Sequence, residues 1–278
     1  IDKAEARAAS EHRLAGISSG FPAWDARSQG MSGGELLVGA GTPGTGKSTF
    51  SRMVARHVAD QHGPVMVASC EMGKLEIASC LLATESGVPL HAIRSGPRGA
   101  DDWPRLRQAE DCLRDLPIHL RPDTRTVGQI AAAARQYVDR GGLSLLVVDY
   151  LQRLKAVGRR RDSRAIEIGD WTGALKELAV DLDIPILCLS QLSRSHVKER
   201  RRPGMADLRE SGSIEQDADG VFFLFRDPMP TPGEAVPQVL DDLVMFVEKH
   251  RNGPAGYEVP LRFNRPILHI EDRTLAEF

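Results

Sequence analysis

The chain reads as an α/β protein: a mostly parallel, twisted sheet flanked by helices, with antiparallel strands at its C-terminal edge. Three observations support this. Short apolar runs bounded by turn residues recur from Glu35 onward, stretches of helix length separate them, and after Phe225 no long helix intervenes between runs. In chain order the parallel strands fall at Leu37–Gly39, Val65–Ser69, Leu145–Asp149, Ile186–Ser190 and Val221–Phe225. Between them, Ser51–Asp60, Leu75–Thr84, Val127–Asp139 and Ile166–Leu182 have helix-compatible apolar spacing with charged faces. The proline-rich stretch Arg226–Pro237 reads as a surface loop. Leu243–Lys249, Tyr257–Phe263 and Ile267–Ile270 then follow as antiparallel strands. Asn252-Gly253-Pro254 supplies turn chemistry between the first two and leaves Arg251 near a hairpin tip.

At 278 residues and 41% hydrophobic content the chain has enough apolar material for one substantial core. No apolar stretch approaches the roughly 18 residues that span a bilayer, and Ile1 to Arg13 is charged and alanine-rich, unlike a secretory signal. A soluble, cytoplasmic protein is expected, with residues 1–13 a linker segment cut from a longer chain and residues 14–278 a single domain. The formal net charge of -2 advertises no polyanion partner, so any nucleic-acid surface must come from local clusters. Only seven of the 36 basic residues are lysines, a bias toward arginine that weakens the meaning of any one arginine. Cys70, Cys80, Cys112 and Cys188 form no C-x-x-C pair and read as reduced thiols rather than metal ligands.

The strongest motif is Gly41-Thr42-Pro43-Gly44-Thr45-Gly46-Lys47-Ser48, which fits G-x-x-x-x-G-K-[ST] between a strand and a helix. Its glycines let backbone N–H groups turn around phosphate oxygens, and the helix N-terminus adds positive potential. Lys47 reaches the β and γ oxygens, Ser48 ligates Mg2+, and Thr49 follows as a further nucleotide contact. Hydrolysis also needs a carboxylate for the metal and a group that orients or deprotonates water. Asp149 closes the apolar run Leu145 to Val148, the Walker B arrangement, although a strand-end cap has the same appearance. Glu71 follows Val65 to Cys70 at the same edge, where open α/β sheets bind ligands, and fits both a catalytic base and a helix start. Gln191 ends Ile186 to Ser190; its position suits a γ-phosphate sensor as well as a side chain that satisfies local backbone groups.

Taken together, the phosphate loop, Ser69-Cys70-Glu71-Met72, Val147 to Gln152, Leu189 to Leu192, the tract Asp207 to Asp219 and Lys249-His250-Arg251-Asn252-Gly253-Pro254 resemble the RecA-like P-loop motor domain of DnaB-type replicative hexameric helicases. The likeness runs from about Gly16 to Ile270, and the tract from Asp207 is its most specific part. It implies an ATP-dependent DNA helicase, a homo-hexameric ring with ATP and Mg2+ at each subunit boundary. Lys47, Ser48, Glu71, Asp149 and Gln191 act from one side, and Lys249 and Arg251 reach the γ-phosphate from the neighbour. It also implies single-stranded DNA in the central channel, held along its backbone by Arg209, Glu210 and Gly212, with a helicase loader and primase as further partners. Arg159-Arg160-Arg161 and Lys198 to Arg202, with Arg200 and Arg201, flank the strand ends that feed such a channel; solvated charged faces fit these clusters equally.

Two departures from the family stand out. It usually carries a phosphate-binding arginine on the helix after the catalytic glutamate, where Cys80 stands here, which puts nucleotide affinity in question. Its all-helical N-terminal collar has no counterpart in these residues, and Ile1 to Arg13 fits either a linker helix that docks on a neighbour or a solvated helix. A nucleotide-switched DNA-binding or regulatory ATPase without unwinding, and a recombinase-like filament, are the alternatives.

Overall fold

A computed structural model describes residues 14–97, 99–156, 163–193, 195–208, 211–226 and 239–273. Nine strands form one sheet: β1 (Leu36–Gly41), β2 (Val65–Ser69), β3 (Ile118–Leu120), β4 (Leu145–Asp149), β5 (Ile186–Gln191), β6 (Gly220–Arg226), β7 (Leu240–His250), β8 (Tyr257–Asn264) and β9 (His269–Asp272). Their spatial order is β3-β2-β4-β5-β1-β6-β7-β8-β9. The first six pair in parallel and the last three join antiparallel, as the sequence predicts.

Period-2 alternation sends successive side chains to opposite faces, and both faces of the parallel strands are covered. On one face Val38, Met66, Val148, Ile186 and Phe223 pack with Ile130 of α6 (Val127–Gly141) and with Trp171 and Leu175 of α7 (Arg164–Leu182). On the other, Leu37, Val67, Val147, Leu187 and Phe222 meet Phe50, Val54 and Val58 of α2 (Lys47–Gln61) and Trp24 of α1 (Pro22–Ser28). Phe50 lies against Phe21 and Phe222 at 4.6 and 5.4 Å between ring centroids. Each such side chain contributes roughly 1.5–3 kcal/mol on burial. Strand β8 buries only alternate residues, Tyr257, Val259, Leu261 and Phe263, as expected of an antiparallel strand with one covered face.

Local signals set the helix ends. Thr126 caps α6 in a box with Gln129, Ser163 caps α7 through the Ile166 N–H, and α3 (Lys74–Ser86) stops at Gly87 in the left-handed region, φ 65°. Several elements carried no readable signal. Strand β3 has three half-buried residues, α5 (Asp102–Arg114) buries only Ala109, and α4 (Leu90–Ser95), α8 (Ser195–Lys198) and α9 (Ser211–Asp217) are each under two turns. The expected linker at 1–13 and the loop at Arg226–Pro237, beyond Arg226 itself, lie outside the described residues. None of the described helices is long and apolar enough to cross a membrane.

Asp219, just before β6, ties three layers together. Its carboxylate accepts the Leu36 N–H at 2.8 Å, Lys176 of α7 at 2.7 Å and Arg251 at 3.1 Å, and its own carbonyl accepts the Arg251 N–H at 2.7 Å. Replacing Asp219 with alanine orphans a buried N–H and removes the carboxylate partner of Lys176, leaving it only the Gly34 carbonyl. We expect Asp219→Ala to cost about 2–4 kcal/mol in urea unfolding; a loss below about 0.5 kcal/mol contradicts this role.

Candidate nucleotide site

Four parallel strands end at one edge of the sheet, β2 and β4 two residues short of β1 and β5. Gly41 pairs with Gln191 and Ser69 with Asp149, so the carboxyl ends of β1, β5, β2 and β4 bring the phosphate loop, Gln191, Glu71 and Asp149 around one cleft of about 410 Å³. Pro43, Gly44, Gly46, Lys47, Ser48 and Thr49 form its floor. A β-carbon at Gly41 meets Thr45 Oγ1 at 2.6 Å and the Leu224 carbonyl at 2.7 Å, so glycine alone fits there. Gly46 sits at φ 92°, and its carbonyl accepts the Phe50 N–H at 2.8 Å to open α2. The helix thus begins at Lys47, ahead of the Ser51 expected from apolar spacing alone.

The Lys47 ammonium donates to the Thr42 carbonyl at 3.0 Å across the loop. Burial pushes its pKa down to about 8, with Asp149 and Glu71 pulling the other way. Asp149 is buried. Burial pushes its carboxyl above the usual range, opposed by the Ser48 hydroxyl that bonds it and by Arg52 and Lys47. Its Oδ1 has no hydrogen-bond partner among the described residues. A buried carboxylate oxygen left open beside a serine hydroxyl fits Mg2+, which takes one or two protein oxygens and fills its remaining positions with water and phosphate oxygens.

Glu71 is half-exposed on the opposite wall, 3.7 Å from Arg153 Nη2, a surface pair of little energetic weight. The Gln191 side chain also lines the cleft, and the local-backbone role falls to Gln152 instead. Gln152 Oε1 accepts the Gln191 N–H at 3.1 Å, while its Nε2 donates to Ser190 Oγ at 2.8 Å.

Tyr150, within the tract Val147 to Gln152 but given no role there, completes the cleft with Phe263, Arg265 and Leu268, which lie outside every motif. Arg265 donates to the Gly44 carbonyl at 3.1 Å, stacks over Phe263 at 4.9 Å and binds Asp241. Phe263 and Arg265 sit more than 200 residues after the phosphate loop, so only closure of the sheet brings them to it.

Lys249 and Arg251 are not part of this cleft. Lys249 donates to the carbonyls of Ala218, at 2.7 Å, and Glu215; Arg251 binds Asp219 and the Gln216 carbonyl, at 3.0 Å. Both therefore cap the carboxyl end of α9. Gly212 lies exposed in the first turn of that helix. Arg200 is exposed, and Arg201 is held by Asp207 at 2.6 and 2.8 Å and by Glu199. Arg159, Arg160, Arg161, Arg209 and Glu210 lie outside the described residues.

Phosphate binding favours the charged form of Lys47, so the bound state keeps a proton that the free site loses above pH 8. Affinity for a fluorescent ADP analogue is therefore expected to hold up to about pH 7, to halve by about pH 8 and to fall roughly thirtyfold by pH 9.5. Affinity unchanged up to pH 9.5 contradicts a lysine that titrates there.

The family model of the DnaB-like helicase C-terminal domain matches residues 16–272. The replicative DNA helicase DnaB of Leifsonia xyli subsp. xyli is 38% identical over 262 residues, 91% of this chain and 55% of that protein. The DnaB of Geobacillus stearothermophilus is 34% identical over 247 residues, 87% and 54% of the two chains. The chain thus spans about half the length of these relatives. Among solved structures, one of an isolated ATPase domain matches with a TM-score of 0.88 and 29% identity, over 98% of this chain and 96% of that one. A DnaB-like replicative helicase, described with its interactions with primase, matches with a TM-score of 0.87 and 30% identity, over 98% of this chain and 66% of that one. With that coverage and a phosphate cleft built at the strand ends, the chain belongs to the DnaB-like helicase C-terminal domain family.

Proposed function

We propose that this chain is the ATP-hydrolysing motor of a DNA helicase, active at the subunit boundaries of a homo-hexameric ring that translocates on single-stranded DNA and unwinds duplex. One observation carries the reading: the chain's own hairpin cations face away from its own nucleotide cleft. Lys249 pairs with Val221, which pairs with Val38, three residues before Gly41. At about 3.3 Å per residue, Lys249 and Arg251 therefore sit roughly 10 Å or more toward the amino edge of the sheet. That distance from the chain's own cleft supports a role at another subunit's phosphate.

Within one subunit the arrangement of the cleft supports a division of labour. The loop N–H groups and Lys47 grip the phosphates, Ser48 and Asp149 hold Mg2+, Glu71 takes the proton of the attacking water, and Gln191 senses the γ-phosphate at the end of β5. Mg2+, when bound, offsets charge on the β and γ oxygens. Lys249 and Arg251 of a neighbour close the site over the transferring phosphoryl group, where charge spreads over three oxygens. DNA is held through its backbone by Arg209, Glu210 and Gly212, with Arg159, Arg160, Arg161, Arg200 and Arg201 adding electrostatic attraction; no aromatic residue interleaves these clusters, so sequence preference is weak. The relative described with primase supports primase as a partner, and a loader follows from the same reading.

The test is ATP turnover with and without single-stranded DNA, on protein of known assembly state, together with strand displacement. Turnover indifferent to DNA and to Lys47→Ala rules the motor out, and hydrolysis without displacement favours a nucleotide switch. Arg251→Ala is expected to lower kcat at least a hundredfold while nucleotide affinity changes less than about threefold; equal loss of both refutes a finger acting in trans. Mixtures of Arg251→Ala and Glu71→Ala protein should regain part of the activity, because some boundaries then pair an intact finger with an intact base. No recovery in mixtures that exchange subunits places both residues in the same half-site.

A further inference from the structure

No motif points to Arg52, yet no other arginine or lysine among the described residues is as deeply buried, with 8% of its surface exposed. It lies on α2 one turn after Ser48. Its Nη2 donates to Thr49 Oγ1 at 3.1 Å, and its Nη1 faces the Met72 sulfur at 4.0 Å. Cys80 of α3 and Asp149 are within its electrostatic reach. Among the described residues no carboxylate oxygen comes within 4.0 Å of it. Arg56, one turn further along α2, differs: it binds Glu85 at 3.0 Å and Asp60 at 3.1 Å.

Folding therefore removes a guanidinium from water and gives it one neutral hydroxyl and one weak sulfur acceptor. Such a group is costly unless an anion offsets the lost hydration. Arg52 stands outside the lining of the phosphate cleft, yet its neighbours link it to that cleft. Thr49 belongs to the phosphate loop's helix, Met72 follows Glu71, and Asp149 is the carboxylate of the cleft. Cys80 contributes a small side chain that leaves room for the guanidinium; a second arginine at that position would bring two buried cations together.

We propose that Arg52 is a positioning residue of the nucleotide site, supplying from α2 the cation that the family resemblance expects on α3 at the place of Cys80, and acting on bound phosphate through Thr49 and the Glu71–Met72 turn. The inference rests on the nucleotide reading of the cleft and deepens it. Arg52 and Cys80 form one exchanged pair, so the cation can be moved back.

The experiment compares Arg52→Met, Arg52→Lys and the double variant Arg52→Met/Cys80→Arg in the full 278-residue chain, with single-stranded DNA present. The readouts are the affinity for a fluorescent ADP analogue with Mg2+, kcat and KM for ATP, and the thermal midpoint. Arg52→Met is expected to weaken nucleotide affinity roughly tenfold or more with the thermal midpoint held or raised, since methionine removes a buried charge while keeping volume. A merely structural arginine gives the opposite pattern. Arg52→Lys keeps part of the affinity, and the double variant returns to within about threefold of the parent chain.

Parental affinity and turnover in Arg52→Met overturn the proposal, as does a double variant no better than the single one. If Arg52→Met fails to fold, Arg52→Lys and the double variant decide by the same affinity ratios. If the parent chain binds nucleotide but hydrolyses none, the motor reading falls while the affinity ratios still judge Arg52.

Discussion

Parallel pairing in a shared register is the constraint on which the site depends. Because Gly41 lies beside Gln191 and Ser69 beside Asp149, a few consecutive backbone hydrogen bonds fix the positions of groups far apart in sequence. A slip of one residue in β4 would turn Asp149 to the other face and bring Val148 to the phosphates. The two buried faces guard against that slip. Val147 and Val148 each enter a different core, so a shifted strand would misplace both at once. Packing and catalysis are thus specified by the same contacts.

The opposite edge of the sheet has its own organising group. Asp219 joins the start of β1, α7 and the hairpin that carries Arg251, and Lys249 is fastened to the carboxyl end of α9. A finger held by a charge that must itself release it is restrained in the isolated chain. On the proposed reading, Arg251 exchanges a bond to one carboxylate for bonds to phosphoryl oxygens when it acts on a neighbour, a substitution of one anion for another. The tract from Asp207 to Asp219 also carries the residues proposed to hold DNA, so the finger's resting partners and the DNA contacts share one short segment. Movement of that segment is a physical route by which DNA and hydrolysis can influence each other.

The sequence reveals most where one residue type has one physical use. Gly41 and Gly46 stand where a side chain would collide or where φ is positive, Lys47 follows a helix-opening turn, and Asp149 and Gln191 close unbroken apolar runs; each could be read from neighbours in the chain. The strands with continuous apolar runs were visible for the same reason. Strand β3, buried on neither side, and α5, which buries only Ala109, left no periodic trace. Tyr150, Phe263 and Arg265 were hidden differently. Phe263 and Arg265 are ordinary residue types for a strand end or hairpin and become part of the cleft only because β8 folds back beside the phosphate loop, whereas Tyr150 enters it as the residue after Asp149 at the end of β4. Gln152 was hidden by its neighbour: strand-end spacing pointed to Gln191, and a second amide close by that serves the backbone does not register in a pattern.

Charge balance connects these parts. The cleft is lined by Lys47 and Arg265 against Asp149 and Glu71, with Arg52 buried outside that lining, so the protein alone leaves the site close to neutral before any ligand enters. A triphosphate then brings several negative charges into a partly buried cleft, and Mg2+ offsets only some of them. The remainder grows more demanding in the transition state, as charge spreads to the outer oxygens away from the loop. Among the described residues no cation lines that side of the cleft except Arg265, which is already committed to Asp241 and Gly44. On the proposed reading, a neighbour's Lys249 and Arg251 restore neutrality where the subunit cannot. Had the cleft carried a second arginine at position 80 as well as Arg52, it would bind nucleotide with less need of a neighbour, and hydrolysis would be less tightly tied to assembly. A single guanidinium between α2 and α3 therefore does more than save space on that reading. It leaves an electrostatic deficit that, in the proposed ring, a correctly seated neighbour removes.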